Sequence, residues 1–424
     1  MRSNQLLNEL FSFHPDVISL DLDRVWRLLE ALGNPQDALP RVVHIAGTNG
    51  KGSTLAMIRA GLEAHGLRVN AYTSPHLVRF HERIYLGGQD ISEETLCTTL
   101  EHVIDVNDGH PITHFEATTC AALYAMAQAP ADVTLLEVGL GGRLDATNVI
   151  QAPEVCVITP VSKDHEAFLG TTLPEIAGEK AGIIKPKRPV VIGPQQENSQ
   201  ETIETVAKGH HAPTYSFGQE WSAGAEFGGM TFQDDVGLMQ LPMPNLLGSH
   251  QISNAGMALM TLRVMGLLNE TSARAAVTKA RLPARMQKIT SGPLKELAPD
   301  AQIWLDGGHN PAAAEMIADT LGTSNKSTTY AICGLLNTKD AAGYMRPLTR
   351  CVAHLYGVTI PNETNTLSGT STTAAAQSAG LSATEIDTVA AAITAITQEN
   401  ANARILICGS LYLAGHVLRT YPPQ

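Results

Sequence analysis

Near-continuous apolar runs recur along the chain, each closed by a polar, glycine- or histidine-bearing loop and followed by helix-compatible sequence. The first runs from Arg41 to Ile45 and enters Gly47-Thr48-Asn49-Gly50-Lys51-Gly52-Ser53-Thr54, after which Leu55, Met57, Ile58 and Leu62 return at helical spacing. This pattern predicts a strand, a glycine loop and a helix. Val133 to Val138 and Val155 to Thr159 repeat it, and Pro189 to Gly193 follows Lys185 as a further strand. Apolar strands alternating with helices predict a parallel sheet covered on both faces, the α/β class. Such sheets take their ligands at the carboxyl ends of the strands.

Turn-forming residues from Ser291-Gly292-Pro293 through Ala298-Pro299-Asp300 interrupt the alternation, which restarts at Gln302-Ile303-Trp304-Leu305-Asp306. Strands are expected again at Tyr330 to Gly334, His354 to Val358 and Arg404 to Gly409. The reading is an N-terminal P-loop-type domain with a mostly parallel sheet over residues 1–292, a linker at 293–300, and a smaller Rossmann-like α/β domain over 301–424. The biased segment Gly369 to Thr397 reads as a loop followed by a helix. No repeat of solenoid length is present.

Composition narrows the class further. At 424 residues, 44% hydrophobic and 17% charged, the chain suits a soluble globular protein of two or three domains, at about 150 residues each. A net charge of −12 disfavours a broad nucleic-acid footprint, which needs a basic face. No stretch reaches secretory or membrane-spanning apolar length, so a cytoplasmic location with no membrane partner is expected. The cysteines at 97, 120, 156, 333, 351 and 408 form no C-x-x-C pair and read as reduced, mostly buried thiols.

The glycine loop is the strongest local signal. Successive N–H groups at a helix start cradle phosphate oxygens, and Lys51 adds a full positive charge. Its spacing departs from the usual phosphate loop, because Gly52 stands between Lys51 and the hydroxyl of Ser53. Glu137 closes an apolar strand just before Gly139, Gly141 and Gly142, so a carboxylate stands at the ligand edge. With Ser53 or Ser74 it makes a reasonable oxygen set for magnesium. Asp164-His165 closes the next strand in the same way, whereas Lys180 reads on spacing alone as a solvated lysine.

Taken together, these motifs closely resemble the folylpolyglutamate synthase/dihydrofolate synthase family of ATP-dependent amide ligases, to which the muramyl-peptide ligases are related. The resemblance rests on His44 to Ser53, Thr73-Ser74-Pro75-His76-Leu77, Leu136 to Asn148 and Glu179-Lys180-Ala181-Gly182. It continues in order through Ser253-Asn254-Ala255, Leu282-Pro283-Ala284-Arg285, Leu305 to Pro311 and Cys408-Gly409-Ser410.

The resemblance implies that Asn49, Gly50, Lys51, Gly52 and Ser53 hold the ATP phosphates, and that Ser74, Glu137 and His165 ligate two magnesium ions. Lys180 matches the lysine that such ligases carbamylate, turning a cation into a carboxylate-like group that orients the second magnesium. Asn254 and Arg285 would contact ATP from the first domain, Asp306 and His309 from the second. Ile112, Thr113, His114 and Phe115, with Leu144, Asp145 and Ala146, match the pterin-binding region. Two departures stand out: Ala284-Arg285-Met286 where relatives commonly read Gly-Arg-Phe, and Gly307-Gly308 where they read x-Ala.

The implied reaction activates a carboxylate with ATP to an acyl phosphate, which the amino group of L-glutamate attacks to give amide, ADP and phosphate. Lys51, Lys180, Asp306 and His309 are the catalytic candidates, with Asp306 or His309 as general base. Arg143 resembles the form found in bifunctional bacterial enzymes, which use both dihydropteroate and reduced folates, and a monomer is expected by analogy. The alternatives are a folylpolyglutamate synthase alone, a muramyl-peptide ligase, or a nucleotide-binding switch. The muramyl reading lacks chain for a sugar-nucleotide domain before Gly47, and the switch has no need of Lys180 or His165.

Overall fold

Every residue of strand β1 (Val42–Ala46) is buried, so both faces of the sheet around it must be covered. The computed structural model, which describes residues 1–14, 21–226, 228–322 and 328–423, shows how. The chain forms two units. The first comprises Met1–Met243 and Ser253–Ala280, the second Pro244–Ile252 and Arg281–Gln424.

In the first unit, β1 joins β2 (Val69–Tyr72), β3 (Ile84–Leu86), β4 (Gln89–Asp90), β5 (Val133–Glu137), β6 (Val155–Ile158), β7 (Val190–Ile192) and β8 (Thr214–Ser216). Their order is β4-β3-β2-β5-β1-β6-β7-β8, with all strands parallel except β3, which pairs antiparallel with both β2 and β4. Val42 packs with Tyr72, Leu136 and the helices over 93–107 and 114–128. Ala46 packs with Ile158, Ile192 and the helices over 173–181 and 197–209. Val43 and Ile45 point the other way and are equally inaccessible. Each such aliphatic side chain contributes roughly 1.5–3 kcal/mol on burial, which is why the strands read as unbroken apolar runs.

Two capping boxes fix helices that carry candidate residues. Thr113 and Glu116 cap helix His114–Gln128, and Thr172 and Glu175 cap helix Leu173–Ala181. A three-stranded antiparallel sheet, β9 (Ser222–Glu226), β10 (Gly229–Gln233) and β11 (Leu238–Leu241), is an addition that the alternation of strands and helices did not predict.

The second unit holds a six-stranded sheet of β12 (Gln287–Ile289), β13 (Gln302–Leu305), β14 (Thr329–Cys333), β15 (His354–Gly357), β16 (Ala383–Glu385) and β17 (Arg404–Cys408). The order is β12-β13-β17-β14-β15-β16, with only β12 antiparallel. β12 pairs with β13, so the unit takes in Arg281 onward as well as Pro244–Ile252, and part of the turn-rich stretch folds as a short helix, Pro293–Leu297. The segment Gly369 to Thr397 is likewise richer than a loop and a helix. It holds helices Gly369–Ser378 and Val389–Glu399 with edge strand β16 between them, too short and polar to signal itself. Among the described residues, no helix is long and apolar enough to cross a membrane.

Candidate active site

The chain leaves β1 through Gly47 and enters helix Lys51–Ala64 with Gly50 as its N-cap, at φ +93°. Side-chain-bearing residues pay about 1–2 kcal/mol in the left-handed region, and a β-carbon on Gly50 would lie 2.5 Å from Asn254 Oδ1. Asn254 therefore lies directly against the loop. The Thr48 and Asn49 N–H groups donate to Pro160 O at 3.0 and 3.3 Å, and Asn49 Nδ2 donates to Ser162 Oγ at 3.1 Å. The segment after β6 thus shapes the loop. The N–H groups of Lys51, Gly52 and Ser53 precede the first intrahelical bond, Thr54 N–H to Gly50 O, and are the donors a phosphate meets at a helix start.

Lys180 is not the solvated lysine that spacing alone suggested. It is 4% exposed, and its Nζ donates to Gly47 O at 3.0 Å. Lys51 Nζ donates to the same oxygen at 3.1 Å and to Thr48 O at 3.3 Å. Burial, reinforced by the Lys51 charge, pushes the Lys180 ammonium down to about 7, against the opposing pull of Asp164, Asp145 and Glu179. Near neutral pH a large share of it is free amine, the form that attacks an electrophile.

Strands β2 and β5 are parallel neighbours with Tyr72 beside Leu136, so the residues just beyond them meet. Ser74 N–H donates to Glu137 Oε2 at 3.4 Å, and Glu137 is buried. His165 lies beyond β6, which flanks β1 on the other side. Its N–H donates to Asp164 Oδ1 at 2.9 Å, and its Nε2 lies 3.9 Å from that oxygen. Glu137 thus ends β5, whereas Asp164-His165 does not close β6 as its pattern suggested: that strand ends at Ile158 and His165 caps the short helix Glu166–Leu169. Among the described residues, no group of three or more His, Cys, Asp or Glu side chains could hold a metal ion. The expected set contains only two such residues, its third member being the Ser74 hydroxyl.

The expected pterin residues divide by exposure. Ile112, Asp145 and Ala146 are buried, and Thr113 is occupied as a helix cap. Phe115 lies against the loop backbone, since a β-carbon on Gly139 would fall 2.2 Å from its Cζ. His114 stacks on Phe11 at 4.1 Å and 11°, and burial with nearby Arg83 brings its imidazolium down to about 4. Asp145 works inward: Oδ2 accepts Gly139 N–H at 3.0 Å and Leu140 N–H at 2.8 Å, while Oδ1 accepts Thr147 N–H at 3.0 Å and the Thr147 hydroxyl at 2.5 Å. Having donated to Asp145, the Thr147 hydroxyl accepts from His44 Nε2 at 2.8 Å. The only sequence signal for this link is a histidine in the middle of an otherwise apolar strand.

In the second unit, Asp306 organises the turns beside it. Its Oδ2 accepts Met286 N–H at 2.8 Å and its Oδ1 accepts Gly308 N–H at 2.7 Å. Ala284 and Met286 both have positive φ, +54° and +42°, so the bond to Asp306 helps hold a strained turn that presents Arg285. Burial raises the Asp306 carboxyl, and Arg285 opposes the rise. A β-carbon on Gly308 would lie 2.8 Å from Asp306 Oδ1 and 2.9 Å from Ala313 Cβ, so glycine suits this turn better than the alanine common in relatives. His309 Nδ1 lies 3.1 Å from Gly307 O, an oxygen that can only accept, so Nδ1 carries the proton and Nε2 is the basic nitrogen of the neutral ring.

Comparison with known proteins identifies the family. Residues 45–262 match the Mur ligase middle domain and residues 284–411 the Mur ligase glutamate ligase domain. The chain is 33% identical to the dihydrofolate synthase/folylpolyglutamate synthase of Escherichia coli over 97% of its length and 94% of that relative. It is also 33% identical to the folylpolyglutamate synthase of Lacticaseibacillus casei, over 94% of both. The structure of E. coli FolC in complex with DHPP and ADP superposes with a TM-score of 0.88 at 32% identity, covering 99% of this chain and 97% of that one. The Yersinia pestis bifunctional enzyme complexed with AMPPNP and Mn gives 0.87 at 32% identity, with coverage of 99% and 97%.

Proposed function

This chain belongs to the dihydrofolate synthase/folylpolyglutamate synthase family, and from that premise we propose that it joins L-glutamate to dihydropteroate and to reduced folates at the expense of ATP. The observation that carries the reading is the buried Lys180 on the carbonyl of the phosphate loop, beside Lys51. A nucleotide-binding switch has no use for a second, desolvated lysine there.

Asn49 to Ser53 would bind the ATP phosphates through backbone N–H groups, and Lys51 would turn from Gly47 and Thr48 to neutralise charge on the transferring phosphoryl. A buried carboxylate, a hydroxyl and an imidazole form the sparse, mainly oxygen set that suits magnesium, which keeps waters and phosphates among its ligands. Ser74, Glu137 and His165 would hold it, and Lys180 as a carbamate would add further oxygens. When bound, magnesium supplies positive charge against the phosphoryl oxygens and aligns attacking and leaving groups.

Phe115 and Leu144 would offer surface to the pterin, and Asp145 holds the loop that carries Leu144 and packs against Phe115. Asn254, Arg285, Asp306 and His309 would contact ATP, with Asp306 acting chiefly through the turns it braces. Both of its oxygens already accept peptide N–H groups, which favours His309 as the base that takes a proton from the incoming ammonium. The acyl phosphate formed from the substrate carboxylate then collapses to amide on attack by glutamate.

Glutamate-dependent ADP release, measured with dihydropteroate and separately with a reduced folate, tests the proposal. Turnover with both is expected. Turnover with reduced folate alone would leave a folylpolyglutamate synthase, and none with either would remove the reading.

A further inference from the structure

Two stretches of the first unit meet too closely to admit side chains. A β-carbon on Gly142 would lie 2.7 Å from Glu179 O and 2.9 Å from Lys180 O, and one on Gly182 would lie 2.3 Å from Arg143 Cβ. Hydrogen bonds run along the seam. Arg143 N–H donates to Glu179 O at 2.7 Å, and the guanidinium Nε and Nη2 donate to Glu179 Oε1 at 3.1 and 2.8 Å. Asn148 Nδ2 is shared between Arg143 O at 2.9 Å and Gly182 O at 3.1 Å.

The Arg143 side chain is 56% exposed, and exposed ion pairs contribute little to stability. Yet this arginine commits its peptide N–H and two guanidinium donors to the residue that precedes Lys180. Asp145 meanwhile ties the far end of the same loop to Gly139 and Leu140. The loop from Gly139 to Asn148 and the last turn of helix Leu173–Ala181 are joined as one piece. That piece carries Leu144 and the backbone under Phe115 at one end and Lys180 at the other.

We propose that Arg143 is a positioning residue for Lys180, a latch that fixes the lysine relative to the substrate loop by gripping Glu179. The inference rests on the ligase reading of Lys180. It gives Arg143 a mechanical task in place of the substrate-range role its motif suggested.

The test compares the full-length protein with Arg143→Met, Glu179→Ala, the double variant, and Glu179→Gln, which keeps an oxygen acceptor. One readout needs no turnover: the rate at which trinitrobenzenesulfonate labels Lys180, followed by peptide mass spectrometry, with Lys185 as the neighbouring control. Arg143→Met and Glu179→Ala are expected to speed labelling of Lys180 but not of Lys185, the double variant matching Glu179→Ala and Glu179→Gln staying closer to wild type than Glu179→Ala. In the glutamate-dependent assay, kcat is expected to fall on the order of tenfold, as for other groups that orient a catalytic residue, with the KM for ATP unchanged.

Unaltered Lys180 labelling in Arg143→Met overturns the latch whether or not the wild type is a ligase. A change confined to the KM for the pterin substrate also overturns it, making Arg143 a substrate contact. Absence of wild-type turnover, with the labelling pattern intact, would instead remove the functional reading and leave the latch.

Discussion

Lys51 and Lys180 donate to one carbonyl oxygen, Gly47 O, at 3.1 and 3.0 Å. Burial, and the Lys51 charge beside it, disfavour the protonated form of Lys180. The phosphate loop and the lysine helix are thereby linked through a single peptide group.

The first prediction concerns that lysine. Lys180→Ala is expected to abolish glutamate-dependent ADP release, and near-wild-type turnover would remove Lys180 from the mechanism. Stability should move the other way. The folded-state value lies near 7, below the ordinary lysine range, so at and below neutral pH the folded state carries the full cost of a buried charge. That cost fades as pH rises through 7. In carbon-dioxide-free buffer, Lys180→Met should therefore raise the melting temperature most at pH 6–7 (about the folded-state value) and progressively less above it. A gain that grows with pH would contradict the assignment.

Glu137 gives the second. Replacing it with Gln keeps size and hydrogen bonding but removes the charge at the end of β5. The magnesium concentration for half-maximal turnover is expected to rise about tenfold or more, equivalent to ~1.4 kcal/mol of lost affinity. An unchanged titration would remove Glu137 from the metal site and leave it a structural role.

A third rests on the phosphate loop. Gly50→Ala forces a side chain into φ +93° and to within 2.5 Å of Asn254 Oδ1. ATP binding should weaken by roughly tenfold or more, given ~1–2 kcal/mol of backbone strain before any clash. Isothermal titration with ATP checks this, and wild-type affinity would show that the loop adopts another shape with nucleotide.

What the sequence revealed follows from how local each signal is. The strands around the glycine loop were legible because burial on both faces demands unbroken apolar runs, as in Val42–Ala46. That Ser74 and Glu137 meet was legible because neighbouring strand ends converge in a parallel sheet. The place of Lys180 was not, since its burial depends on helix Leu173–Ala181 meeting a loop more than a hundred residues earlier, at Gly47. The same holds for Asp145, whose inward role depends on peptide N–H groups that carry no sequence signal. Strands β12 and β16 escaped notice because edge strands of three residues lack periodicity.

The buried His44-Thr147-Asp145 chain yields the last prediction. His44 is fully buried, and desolvation, aided by the Lys185 charge, holds its imidazolium down to about 3. The unfolded chain binds a proton near the ordinary histidine value, so between that value and about 3 the unfolded state holds the extra proton and stability falls as pH falls. One such group gives a slope of at most ~1.4 kcal/mol per pH unit. His44→Gln, whose amide can still donate to Thr147, is expected to flatten the decline in unfolding free energy between pH 6 and 4 (about the middle of that window) by a share of this slope. Thr147→Val removes the link and leaves buried donors and acceptors unmatched, at a cost of about 1–3 kcal/mol at pH 7. Because Asp145 would then keep its bonds to Gly139 and Leu140, the loss should appear in urea denaturation before it appears in the KM for pterin. Equal acid slopes for wild type and His44→Gln would place the titrating group elsewhere.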